Sequence, residues 1–311
     1  MDPRIRSRSV FAHHGVSDAT LARRRRSESW LTLRRGHFVD ATVASSLNPH
    51  TRHRLHIGAA AQCFGDGAVF SHLSAAVLHG IAIWSAPLDR VHVTRNRSAG
   101  GRSSASSVVH ATPLHDDEVT EVDGLAVTSV ARTVSDLARR YGFETGVVGA
   151  DDTLHRGLLL AADLSVISSR ARGLHGAAAV RAVTAFAEGR SESPGESRSR
   201  VRLSALGVGP MDLQRRIVDE HGHLIARADF YFEGHVVGEF DGMTKYGRLL
   251  SPGESAGDAV TREKIREDRI RATNRIVVRW TWSDLSAPAL LGNRIKQAIA
   301  RGRAMGSPTT P

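Results

Sequence analysis

The sequence predicts an α/β protein of the α+β multidomain kind, on three observations. Its 311 residues, 41% hydrophobic and 24% charged, are too many for one domain and apolar enough for a real core. Helix and strand signals are mixed in the middle of the chain and again in its last third. Between them, Ala187-Glu188-Gly189-Arg190-Ser191-Glu192-Ser193-Pro194-Gly195 reads as a boundary. The expected organisation is a basic region over 1–60, a mixed α/β and helical region over 61–188, a further α/β domain over 189–300, and a disordered tail over 301–311.

The first segment carries the charge. Net charge is +10, and residues 1–60 hold eleven arginines against four acids, about +7 of that total. A basic surface of this kind suits polyphosphate and points to DNA as a partner. Only Lys245, Lys264 and Lys296 represent lysine, so the arginine content partly reflects composition, but composition does not explain the clustering. No apolar run approaches the roughly 18 residues of a membrane span, and the opening Met1-Asp2-Pro3-Arg4 lacks a signal core. The single Cys63 excludes an intramolecular disulfide framework or a Cys-rich zinc site. A cytoplasmic protein with no membrane partner is expected.

Gly15-Val16-Ser17 precedes a short helix from Asp18 through Arg23-Arg24-Arg25-Arg26, with Ser17 as its cap and Asp18 at the positive end of its dipole. Trp30 to Arg34, Arg35-Gly36 and His37-Phe38-Val39 then read as a hairpin with a basic tip. Helix-turn-helix plus hairpin suggests a winged helix, degraded because too few residues precede the turn for a three-helix platform. Arg23, Arg24, Arg25, Arg26, Arg34 and Arg35 are the candidate nucleic-acid contacts.

In the middle region, Ser71 to Gly80 and Thr128 to Ala138 read as helices, and Val91 to Thr94 and Ser107 to His110 as strands. Residues 150–188 are Ala/Leu-rich and helical. His72, His79, His92 and His110 fit no metal-site spacing, so packed or surface histidines are expected there.

After the boundary, a helix opens at Ser193-Pro194-Gly195-Glu196. Leu224 to Phe232 alternates, Glu233-Gly234 turns, and His235 to Gly242 returns. A turn centred on Gly234 sets Asp229 across from Glu239, and Asp241 shares the Glu239 face. Three such acids repel and need a cation. Oxygen-only ligands suit Mg²⁺ or Mn²⁺, which would activate water against a phosphodiester, with Lys245 aiding the transition state. The alternative is that the acids pair with Lys245 and nearby arginines. Glu196 has two open readings, accessory metal ligand or third residue of a capping box. A charged helix over Ala259 to Thr273 and a strand from Arg275 to Trp282 follow.

Glu196-Ser197-Arg198, Gln214, Ala228-Asp229-Phe230, Glu239-Phe240-Asp241-Gly242 with Lys245-Tyr246, Glu263-Lys264 with Asp268-Arg269, and Val278-Arg279-Trp280 resemble the very-short-patch-repair-endonuclease-like domain of bacterial proteins, in the PD-(D/E)XK nuclease superfamily. The resemblance implies a C-terminal restriction-endonuclease-like α/β domain. In it Asp229 and Glu239 bind metal, Glu196 is the accessory acid and Lys245 stands where relatives often place His. The superfamily's lysine two residues after the acid is here Asp241, and Asn274 replaces a frequent Gly before the last strand. Ser71-His72, Ala75-Ala76, His79-Gly80, Val127-Thr128-Ser129, Arg132-Thr133 and Asp136-Leu137 look like the type IV abortive-infection (AbiEi-like) antitoxins of high-GC bacteria. That likeness implies a DNA-binding regulator with a toxin or other protein partner. Two functions are therefore expected: a metal-dependent DNA endonuclease in defence or repair, or an antitoxin-type regulator whose nuclease-like fold is catalytically inactive.

Overall fold

The computed structural model describes residues 2–27, 29–65, 67–242 and 256–306. The chain is α/β and divides into two compact units, Met1–Thr153 with Gly157–Phe186, and Leu154–Arg156 with Ala187–Pro311. No helix among the described residues is long and apolar enough to cross a membrane.

The first unit opens with β1 (Arg6–Ser7), α1 (Arg8–His13), α2 (Asp18–Arg26), β2 (Trp30–Arg34) and β3 (His37–Asp40). Ser7 caps α1 by accepting from the Val10 N–H, and Ser17 accepts from the Thr20 N–H at 3.2 Å to start α2. The strands form an antiparallel sheet in the order β1-β3-β2. Phe11, Leu21 and Phe38 fill the space between helices and sheet, with the Trp30 ring edge-on to Phe11 at 4.9 Å. Two short helices thus pack on a three-stranded sheet.

The few residues before the turn are supplemented by the next two helices, α3 (Ala41–Ser46) and α4 (Pro49–Ala61). Asn48 caps α4, and Pro49 occupies its first turn. Leu55 and Ala59 of α4 pack with Ile5, Leu33, Val39 and Ala44, supplying from downstream the helix that the short amino terminus lacks. Ile57 and Ala60 of the same helix enter the core of the following sheet, with Phe70, Val91 and Val93. Residue 60 is therefore no domain boundary, because one helix serves two cores.

That sheet is built from β4 (Ala68–Phe70), β5 (Val91–Arg95), β6 (Arg102–Ser103), β7 (Ser107–Ala111), β8 (Val119–Val122) and β9 (Leu125–Thr128), with α5 (His72–His79) following β4. Strand order is β6-β7-β5-β4-β9-β8. α5 ends at Gly80, whose φ of 67° is the left-handed cap that glycine accepts most readily. Helices α6 (Val130–Tyr141), α7 (Phe143–His155), α8 (Ala161–Arg170) and α9 (Ala177–Phe186) complete the run. Ser129 caps α6, and Leu137 on it packs with Leu73, Ala76 and Ile81.

The second unit contains α10 (Pro194–Ala205), β10 (Met211–Val218), β11 (Leu224–Phe232), β12 (Val236–Phe240), α11 (Ala256–Ala272), β13 (Ile276–Trp280), α12 (Trp282–Ser286) and α13 (Pro288–Gly306). The sheet order β10-β11-β12-β13 is antiparallel except for the parallel β12–β13 pair, which α11 connects. β10 was not anticipated, because its Asp212, Gln214, Arg215 and Arg216 interrupt the alternation of an edge strand. α13 is helical through Gly306, so residues 301–306 belong to a helix and not to the tail expected there; 307–311 lie outside the described residues. Phe230, Phe232, Val236, Val278 and Trp280 share a core with Leu203, Leu285 and Ile295. The Trp280 indole N–H donates to Ser199 Oγ at 2.7 Å, which satisfies the one polar atom of that ring. Asn274 adopts the left-handed φ of 57° just before β13, which asparagine tolerates better than most residues.

Candidate active site and nucleic-acid interface

The β11–β12 register pairs Phe230 with Gly238, Tyr231 with Val237 and Phe232 with Val236. One step further along that register sets Asp229 opposite Glu239, on one face of the sheet. The parallel partner strand places Arg279 beside Glu239. Glu239 is 9% exposed and its oxygens are fully engaged. Arg266, reaching from α11, donates to Oε1 at 2.7 Å and Oε2 at 2.8 Å, and Arg279 Nε donates to Oε2 at 3.0 Å. Arg266 also pairs with Glu263 at 2.6 Å, and Arg279 with Glu263 and Glu267. Two guanidinium groups thus supply countercharge to Glu239, shared with Glu263 and Glu267.

Glu196 sits at the capped start of α10, with Ser193 as the N-cap. Its N–H donates to Ser193 Oγ at 3.2 Å, the Ser193 hydroxyl donates back to Oε1 at 2.7 Å, and the Glu192 N–H donates to Oε2 at 2.9 Å. Gln214, at a positive φ of 55° within β10, adds a 2.9 Å amide bond to Oε2. Asp229 accepts the Phe240 N–H at 2.9 Å. Its carboxyl is pushed up to about 7, first by burial and then by the negative charge of Glu196, with Glu239 adding to it. Asp241 lies past the end of β12, exposed, with its N–H donating to Trp280 O at 2.8 Å. Lys245 lies outside the described residues.

Glu196, Asp229 and Glu239 are therefore electrostatic neighbours. Among the described residues these carboxylates do not bring three ligand atoms within 4.8 Å of one another. This arrangement does not fit a resident Mg²⁺ or Mn²⁺: Glu239 and Glu196 each have both oxygens accepting from protein donors. The expected convergence of Asp229, Glu239 and Asp241 on one ion is not formed among the described residues. The physical reason is the pair of arginines delivered by α11 and β13, which no reading of the hairpin alone reveals.

In the amino-terminal segment, Arg23 and Arg24 are exposed on α2 and Arg35 is exposed at the hairpin tip. Leu21, buried at 5%, turns the other side of α2 inward. The backbones of Arg25 and Arg26 lie on α2; their side chains lie outside the described set. Arg34 departs from expectation, since its guanidinium lies over the Phe64 ring at 4.5 Å and packs within the unit.

Sequence spacing missed one constellation. His72, His92 and His110, expected to be separate packed or surface residues, come together with one ring nitrogen each inside 4.8 Å. They derive from α5, β5 and β7, so the signal is the β5–β7 pairing and not any local motif.

No protein-family model and no curated protein matches the chain. The crystal structure of the RV2827C protein from Mycobacterium tuberculosis is similar over 60% of this chain and 77% of that one, at 15% identity and a TM-score of 0.35, a likeness too loose to bear on function.

Proposed function

We propose that this is a DNA-binding protein of the regulator type, which docks α2 and the β2–β3 wing on duplex DNA and carries a nuclease-like unit without resident catalytic metal. One observation carries the reading: the β1-β3-β2 sheet holds α2 with Leu21 inward and Arg23 and Arg24 outward, with Arg35 at the wing tip. An exposed basic second helix beside a basic hairpin matches the groove-plus-backbone docking of this class. The clamped Glu239 favours the regulator over the endonuclease, and the resemblance to abortive-infection antitoxins points the same way.

The test is binding of full-length protein to a labelled mixed-sequence duplex across a salt series. Replacing both Arg23 and Arg24 by alanine lowers affinity about tenfold and flattens the log–log salt slope by about 2. Equal affinity and slope in the variant overturn the interface. Supplying Mg²⁺ or Mn²⁺ with supercoiled plasmid tests the rival function: nicking by the native chain that Glu239→Ala abolishes replaces the regulator reading with a nuclease.

A further inference from the structure

We propose that His72, His92 and His110 form a binding site for a divalent transition metal of the zinc class, distinct from the carboxylate hairpin. Three imidazoles offer borderline nitrogen ligands, which suit Zn²⁺ and its neighbours and not Mg²⁺, and three protein ligands leave a coordination position for water or substrate.

The ligand atoms follow from the partners of the other nitrogens. His92 Nδ1 lies 3.0 Å from His110 Nε2, while His92 Nε2 lies 3.3 Å from the Tyr141 hydroxyl. His72 Nδ1 lies 2.9 Å from Ser71 Oγ and 3.6 Å from Asp136 Oδ2, which leaves Nε2 for a ligand. Ser71 is itself held by the Thr94 hydroxyl at 2.8 Å. The outward nitrogens of His72 and His92 thus each have a neighbour of the kind that orients a ligating histidine. Burial keeps the rings neutral, lowering His92 to about 2 and His110 to about 4, and His72 well below its ordinary value.

Two further features point to this place. Asp136 is fully buried, and its Oδ2 makes no hydrogen bond, although Oδ1 accepts from Arg132 at 3.0 Å. An orphan carboxylate oxygen beside His72 Nδ1 is the acceptor that ring needs once Nε2 carries a metal. His72 also holds a left-handed φ of 53° although it is 6% exposed, and such strain concentrates at functional positions.

Metal entry rearranges the cluster in a defined way. One proton is now shared between His92 Nδ1 and His110 Nε2; the ion takes its place, and the proton moves to His92 Nε2, where the Tyr141 oxygen accepts it. The His72 ring, stacked on His110 at 3.7 Å and 11°, turns out of that stack, because two parallel rings cannot both hold one ion in their planes.

The experiment is titration of chelator-treated full-length protein with Co²⁺ and with Zn²⁺ against a chromophoric competitor. The expected result is one equivalent bound, with visible Co²⁺ bands of a nitrogen-ligand site and a rise in Tm on adding Zn²⁺. Half-buried His110→Gln weakens binding at least 100-fold with unchanged circular dichroism, and Tyr141→Phe weakens it about tenfold. Absence of Co²⁺ bands in the native chain overturns the proposal even if His110→Gln fails to fold. Binding of equal strength in native protein and folded His110→Gln overturns it too, by assigning the metal to other histidines.

Discussion

Asp229 stands across the β11–β12 hairpin from Glu239, and the N–H of Phe240, the residue after Glu239, donates to the Asp229 carboxylate at 2.9 Å. The acid is held in a place where ionisation is costly, between burial and two other carboxylates. Evolution keeps such a group at the expense of stability when it has a use.

Asp229→Asn therefore stabilises the protein above neutral pH. The folded chain holds its proton up to about 7, against an ordinary value of 3.8. The group's contribution to stability is thus fully present below that lower value and is lost as pH rises through the upper one. The loss is on the order of 2–4 kcal/mol after allowance for partial exposure. Thermal unfolding of the native and Asp229→Asn chains shows a higher Tm for the variant at pH 8 and near-equal values at pH 4. An increment independent of pH contradicts the assignment.

Arg266→Met tests the clamp on Glu239. The substitution leaves Arg279 as the one described partner donating to Glu239 and strands part of the Glu263 charge. Because the pairs are only partly buried, the expected destabilisation is about 1–3 kcal/mol. The same substitution frees a carboxylate edge beside Asp229, so added Mg²⁺ raises the Tm of the variant while leaving the native chain unmoved. Chemical denaturation with and without Mg²⁺ measures both. A native chain that gains as much from Mg²⁺ as the variant means the arginines do not exclude the ion.

The sequence makes the hairpin register plain, because Gly234 centres the turn and strand alternation sets which side chains share a face. The Ser193 cap of α10 and the basic α2 are equally local, and they appear in the structure where the pattern puts them. What stayed hidden is long-range. Arg279 meets Glu239 through a parallel strand forty residues away, α4 completes a core that begins fifty residues earlier, and three histidines meet through strand order. Local periodicity fixes faces; only topology says which faces meet.

Gly195→Ala probes the joint between α10 and the hairpin. A Cβ on Gly195 lies 1.8 Å from the Phe240 ring, and that ring is packed edge-on to Trp282 at 4.9 Å. Phe240 cannot retreat without disturbing the N–H that holds Asp229. The expected loss is about 3 kcal/mol, from overpacking. Because the strain enters at the hairpin end, the pH-dependence of unfolding attributed to Asp229 shrinks with it. A Gly195→Ala chain with native Tm would mean that α10 sits farther from β12.

Acid should loosen the first unit through His53. Its Nδ1 donates to Leu88 O at 3.0 Å, and its Nε2 accepts from the Ser74 hydroxyl at 3.0 Å, whose oxygen in turn accepts the His92 N–H at 2.9 Å. A second proton has no acceptor at Nε2, and burial lowers the ring to about 4. The folded value lies below the ordinary 6.5, so the unfolded chain binds the proton first. Stability is full above 6.5 and declines as pH falls towards 4, by roughly 3 kcal/mol for this group. His53→Gln, which keeps one donor and one acceptor, removes most of that slope at a cost of about 1–2 kcal/mol near pH 7. Urea unfolding between pH 7 and pH 4.5 measures the slope in both chains. If the variant falls as steeply as the native chain, His72, His92 and His110 carry the acid sensitivity instead, and a His53 proton has no part in it.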